Sequence, residues 1–301
     1  MSERPSYRVA VVQAGVAAVT SARYREEMER NRDALIGWLR LLQEQLSEPP
    51  RLVVFPVLAF QGASRRPTAF APGETGLALT DPFFDPLVAA CARYQCYLAT
   101  SCVEKHPAFP GRYFHTGFVL GPEGVVLRQP KVQARSSAQI TVLKSFREEY
   151  VAALGEAALH AVAETPLGRL GCIVESEQFY PEVLRGLLRN GAEVIVHPNL
   201  EPDPQVPYLA LKQARCFENT IYLASAVSAF ERWPEDGTVR VWRGRGGSAI
   251  VGPAGDVLAS CAGSDESVAT ATIDLAQLDQ LRADPRRETL PDWHIYQPLY
   301  R

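Results

Sequence analysis

Six cysteines, at positions 91, 96, 102, 172, 216 and 261, are the first candidates for chemistry in this 301-residue chain, because a thiolate is both a strong nucleophile and a metal ligand. None forms a Cys-x-x-Cys pair and none has the histidine flank of a metal site. Four of them lie in apolar runs, where cysteine behaves as a small buried hydrophobe. No metal site and no cofactor is expected from this pattern. The stretch Arg243-Gly-Arg-Gly-Gly247 has the glycine density of a phosphate-binding loop. It lacks the strand before and the helix after that such a loop needs, so it reads as the approach to a hairpin. What remains is a scatter of charged side chains in ordered surroundings: Lys131 after a hairpin, Glu175 at the end of an apolar strand, and His115 within another strand. A lysine stabilises developing negative charge, and a carboxylate or imidazole moves protons.

The elements that must position these residues alternate. Tyr7 to Gln13 is a β-branched run that reads as a buried strand. From Arg23 to Leu46, Leu35, Ile36, Leu39, Leu42 and Leu46 recur at the spacing of an amphipathic helix. A short strand over Arg51 to Phe55 stops at Pro56, a helix follows from Asp81 to Tyr94, and a strand from Cys96 to Val103. Phe118 to Leu120 and Val125 to Arg128 flank Gly-Pro-Glu-Gly, a hairpin signal. The second half repeats the alternation. Strands are predicted at Leu170 to Val174, Glu193 to His197 and Thr220 to Ala226, and helices at Pro181 to Asn190, stopped by Gly191, and Tyr208 to Asn219. A last hairpin, Ser248 to Val251 with Val257 to Ser260, precedes a strand at Val268 to Ile273 and a helix at Leu275 to Arg282. Strands alternating with helices imply a layered α/β fold.

Composition limits the partners. With 47% hydrophobic and 22% charged residues the chain can bury one sizeable core. No linker divides it, so a single domain over 1–301 is expected, with a C-terminal tail from about 284. Net charge is -3 and the isoelectric point is near 6.0; lysine and arginine are scattered. Nucleic acid and anionic membrane surfaces would need a basic patch, and neither is an expected partner. No apolar run approaches membrane-spanning length, and the first residues lack the apolar stretch of a signal peptide. A cytoplasmic location follows as the expectation.

Three segments carry a family resemblance. Leu52-Val53-Val54-Phe55-Pro56 resembles a strand that ends in a Phe-Pro-Glu turn, and Gln129-Pro130-Lys131 after the hairpin resembles a lysine-bearing segment. Gly171-Cys-Ile-Val-Glu175, followed by Pro181-Glu182, Arg185 and Gly191-Ala-Glu193, resembles a Gly-x-x-x-Cys elbow with its downstream helix and strand. In order and spacing these are similar to the nitrilase, or carbon–nitrogen hydrolase, superfamily, and Phe60-Gln61-Gly62 lies closest to its aliphatic amidase branch. The resemblance implies a four-layer α-β-β-α sandwich, a homodimer formed through helical faces near Pro181 to Asn190 and Tyr208 to Asn219, and a metal-free site for small amides or nitriles.

That family works with a glutamate base, a lysine and a cysteine nucleophile. At the corresponding positions this sequence has Val57, Lys131 and Glu175. Cys172 lies three residues earlier on the strand, so its side chain is expected on the opposite face, as a packing residue. Glu148 or Glu149 is the nearest match to a second, structural glutamate, and His115 stands where the family often has asparagine, either near the pocket or as a core residue. Glu182 and Arg185 read as support for a helix start. The resemblance with these replacements implies a degenerate site: a regulatory, scaffolding or ligand-binding protein, partnered by a small polar ligand or an active enzyme. The alternative is a repurposed enzyme in which Glu175 and Lys131 do acid–base chemistry on a small polar substrate.

Overall fold

Val9, Ala10, Val11 and Val12 are all fully buried, which consecutive strand residues manage only when both faces of their sheet are covered. The computed structural model describes residues 4–19, 22–62, 72–134, 140–235, 238–287 and 295. The first half runs β1 (Ser6–Gln13), β2 (Val16–Ala17), α1 (Tyr24–Gln45), β3 (Leu52–Val54), α2 (Pro72–Thr75), α3 (Asp85–Tyr94), β4 (Tyr97–Lys105), β5 (Tyr113–Gly121) and β6 (Gly124–Pro130). The second half continues with α4 (Arg147–Leu154), β7 (Val162–Thr165), β8 (Gly168–Cys172), α5 (Pro181–Arg189), β9 (Val194–Asn199), α6 (Tyr208–Asn219) and β10 (Tyr222–Val227). It closes with β11 (Phe230–Glu235), β12 (Thr238–Arg243), β13 (Ala249–Val251), β14 (Val257–Ser260), β15 (Ser267–Asp274) and α7 (Leu275–Ala283).

Two six-stranded sheets, ordered β15-β1-β3-β4-β5-β6 and β14-β13-β10-β9-β8-β7, hold most of the strands. Each has a parallel centre and antiparallel edges. Strand alternation assigns the layers. Val9, Val11, Val54 and Ala99 of the first sheet meet Cys172, Val194, Val196 and Ala224 of the second in one shared core. The intervening residues Ala10, Val12, Val53 and Leu98 pack outward on Leu35, Leu39 and Leu42 of α1 and Leu87 of α3. On the other side Ile195 and Leu223 pack on Leu184 and Leu187 of α5 and Cys216 of α6. The result is the α-β-β-α sandwich that the alternation and the resemblance predict. Each fully buried aliphatic side chain contributes about 2 kcal/mol. Gly117 of β5 lies at a close approach of the two sheets: a Cβ there would come within 2.8 Å of Val174 and closer still to the Cys172 sulfur.

The structure adds elements the sequence pattern does not show. β11 pairs with both β12 and β2 in a separate three-stranded sheet, and Val239 and Val241 of the β11–β12 hairpin face solvent. Pro234 interrupts the run and no buried face gives it a period, which is why it does not read as a strand. The helix expected from Asp81 begins as a 3-10 turn over Pro82–Phe84, with the Asp81 carboxylate accepting the Phe83 N–H at 2.8 Å. Gly191, at φ 89°, takes the left-handed conformation that stops α5. Most of the tail expected from about 284 lies outside the described residues. Among the described residues no helix is long and apolar enough to cross a membrane.

Candidate functional site

Lys131 leaves the end of β6, its position held from both sides of the backbone. Its N–H donates to the His115 carbonyl at 2.8 Å, and its own carbonyl accepts the Leu143 N–H at 3.0 Å. From the facing sheet, β8 ends at Cys172 and the chain turns sharply at Glu175, whose φ of 49° is left-handed. A non-glycine residue in that region stores about 1–2 kcal/mol. Two contacts hold it there. Lys131 Nζ lies 2.6 Å from Glu175 Oε2, and His197 Nε2 donates to the Glu175 carbonyl at 3.0 Å. Because that carbonyl only accepts, the His197 proton resides on Nε2, and Nδ1 accepts from the Ser225 hydroxyl at 3.1 Å.

The electrostatics of the pair follow from burial and neighbours. Burial alone would raise the Glu175 carboxyl, but the Lys131 ammonium and, more weakly, His115 and His197 outweigh it and hold the group at about 2. His197 is pushed down to about 3, first by burial and then by the Lys212 cation, so it stays neutral. His115 is lowered to about 4 by burial, with Glu175 pulling it up and Lys131 pushing it down. Its Nε2 bonds the Ser101 hydroxyl at 3.0 Å, and that hydroxyl accepts the Leu58 N–H at 3.0 Å. Through this chain the Val57–Leu58 turn touches the same centre. Val57 itself is fully buried in the core between the sheets.

The structure thus brings Lys131, Glu175 and His115 together. Cys172 points the other way, into the inter-sheet core against Gly117, and burial pushes its thiol well above the usual range. Glu148 and Glu149 are exposed on the first turn of α4, and no ion pair or hydrogen bond joins them to Lys131 or Glu175. The buried glutamate that grips the lysine segment is Glu177, fully enclosed. One of its oxygens accepts the N–H groups of Val132 and Gln133 at 2.7 and 3.2 Å, and the other accepts that of Val174 at 2.8 Å. Burial drives Glu177 up to about 7 against the pull of Lys131 and these donors. In sequence it sits in Glu-Ser-Glu-Gln, a polar stretch that reads as surface, so only its place between Lys131 and the elbow reveals it.

A second buried ion pair lies beyond His197. Lys212 and Glu201 meet at 2.6 Å with almost no exposure. The ammonium also donates to the Gly247 carbonyl at 2.7 Å, and Asn199 donates to Glu201 at 2.8 Å. The glycine-dense loop before β13 therefore seats a lysine. Among the described residues no group of three or more histidine, cysteine or acidic side chains is placed to hold a metal ion.

Comparison with known proteins agrees with this fold. The chain is 29% identical over 175 residues to an omega-amidase of Xenopus tropicalis, spanning 57% of this chain and 60% of that one. It is 24% identical over 282 residues to the omega-amidase of Bos taurus, spanning 92% of each. Among solved structures, an amidase from Nesterenkonia superposes with a TM-score of 0.66 at 21% identity, covering 94% of this chain and 97% of the other. The profile of the carbon-nitrogen hydrolase family matches residues 8–283, and the chain belongs to that family.

Proposed function

We propose that this protein does not hydrolyse amides or nitriles through a thiol nucleophile, and that it serves as a regulatory, scaffolding or ligand-binding member of its family. One observation carries the reading: the elbow residue is Glu175, and its carboxylate is ion-paired with Lys131 at 2.6 Å. A carboxylate held at about 2 is a poor base at neutral pH. Its attack on an unactivated amide would give an anhydride, a higher-energy acyl intermediate than a thioester. The turn that would supply a general base has the apolar side chain of Val57. In a mutant of the Nesterenkonia amidase the acetamide moiety of fluoroacetamide is added covalently at the active-site cysteine; Glu175 offers no sulfur to such a reagent. The test is ammonia release from small aliphatic amides, carbamoyl amines and nitriles at high protein concentration. No release above the blank is expected. A rate like that of active relatives, abolished by Lys131→Ala, would overturn the proposal.

The repurposed-enzyme reading keeps one supporting observation: the Glu175 side chain remains 28% exposed, so a small polar molecule can reach it from solvent. A specific molecule bound across Glu175 and Lys131 in a crystal would favour that reading.

We also propose a homodimer through the α5 and α6 faces, where Phe179 before α5 and Leu209 and Phe217 of α6 are exposed. Exposed large apolar groups of this kind mark association surfaces. Light scattering at micromolar concentration is expected to give twice the chain mass; a monomer would refute it.

A further inference from the structure

Two thiols lie beneath the C-terminus of α3, away from the Glu175 site. Cys91 is in the last turn of the helix and Cys96 immediately precedes β4, and both are fully buried. The helix ends in a Schellman turn. Gln95 is left-handed at φ 51°, the Cys96 N–H donates to the Cys91 carbonyl at 3.1 Å, and the Gln95 N–H donates to that of Ala92 at 3.4 Å. This turn folds the residue after the left-handed position back over the helix residue five places earlier, so that their side chains meet. Here those side chains are two cysteines.

Their protonation is linked. The neighbouring Cys91 thiol lowers Cys96 from the usual thiol range against the effect of burial, and the Arg51 cation assists. The same pairing, together with burial, raises Cys91, whose thiol donates to the Leu120 carbonyl at 3.9 Å. Arg51 is held at the turn by its Nε, which donates to the Gln95 carbonyl at 2.9 Å. Cys102, Cys172 and Cys216 lack such a partner, and burial pushes each of their thiols well above the usual range. The covering turn is thin, because Arg93 and Gln95 are exposed. Helix ends open locally at low free-energy cost, which gives a small peroxide a route to the pair.

We propose that Cys91 and Cys96 form a redox-active dithiol that closes to a disulfide when a peroxide reaches it. Cys96, as thiolate, attacks one oxygen of hydrogen peroxide. The O–O bond breaks, leaving Cys96 as the sulfenic acid, and the departing hydroxide takes a proton to become water. Cys91 then gives up its proton and its sulfur attacks Cys96, expelling the sulfenic oxygen as a second water. The two sulfurs lose two electrons and the peroxide gains them. The bridge ties the end of α3 to the start of β4.

The experiment treats the native, full-length chain with hydrogen peroxide, quenches in acid, and alkylates in denaturant before mass analysis. Two fewer alkylated thiols are expected than in the untreated protein, restored by a dithiol reductant. Trypsin cleaves after Arg93, so the bridge is expected as two peptides joined only in the absence of reductant. The peptide bearing Cys96 also holds Cys102, so variants assign the partner. Cys102→Ala is expected to keep the joined pair, while Cys91→Ala and Cys96→Ala abolish it. The proposal is overturned if all six thiols stay alkylatable after methionine oxidation has begun, or if the joined pair survives in Cys91→Ala or Cys96→Ala. If a variant fails to fold, chymotryptic cleavage of the wild-type chain after Tyr97 or Leu98 separates Cys96 from Cys102 and decides the question.

Discussion

Glu175 and Lys131 are unequally placed. The lysine side chain is 5% exposed and the carboxylate 28%, so removing one partner strands a charge in a different setting each time. Glu175→Gln leaves an ammonium without a counter-ion and is expected to cost about 2–4 kcal/mol. Lys131→Met leaves a carboxylate that still reaches water, and about 1–2 kcal/mol is expected. Thermal melts of the singles and the double check this; equal costs, or coupling near zero, would remove the pair from the account of stability. The carboxyl is depressed from an ordinary 4.5 to about 2. Its stabilising contribution is therefore complete above the ordinary value and is lost as pH falls from about 4.5 toward 2. Urea denaturation across that range is expected to lose this acid limb in Glu175→Gln.

Between elements, Glu177 does the joining. It binds the backbone following β6 to the backbone following β8, so the lysine segment and the elbow move as one body. An amide in its place has only one acceptor oxygen for donors that arrive on both sides. Glu177→Gln is expected to destabilise the protein by about 1–3 kcal/mol and to speed amide exchange at Val132 and Val174; unchanged protection there would show that the clamp is dispensable. Helices and strands with a buried face were legible because burial imposes a period: α1 and α6 fall within a residue or two of their expected limits. The β11–β12 hairpin was not legible, since its exposed valines follow no buried face. Glu148 and Glu149 illustrate the same limit in the opposite direction. The resemblance made one or other of them the nearest match to a second glutamate, on ambiguous spacing, but α4 presents them to solvent.

At the scale of the whole molecule, the two sheets meet through Gly117, where any side chain would strike Cys172 and Val174. Gly117→Ala is expected to cost about 1–3 kcal/mol by overpacking, with part recovered when Cys172→Ala is added; a neutral single variant would mean that the sheets yield there. The layering itself was determined by the sequence, because residues two apart on a strand share a face and the apolar pattern commits both faces to cover. So was the identity of the elbow residue, since no fold can turn Glu175 into a thiol. The resemblance already set Glu175 opposite Lys131, whereas tertiary structure alone decided which carboxylate is buried among backbone donors. Glu175 and Glu177 are two residues apart in one polar stretch, and the lysine segment is more than forty residues away along the chain. Local sequence sets propensity and face, whereas the pairing of charges depends on distances that exist only after two sheets have packed together.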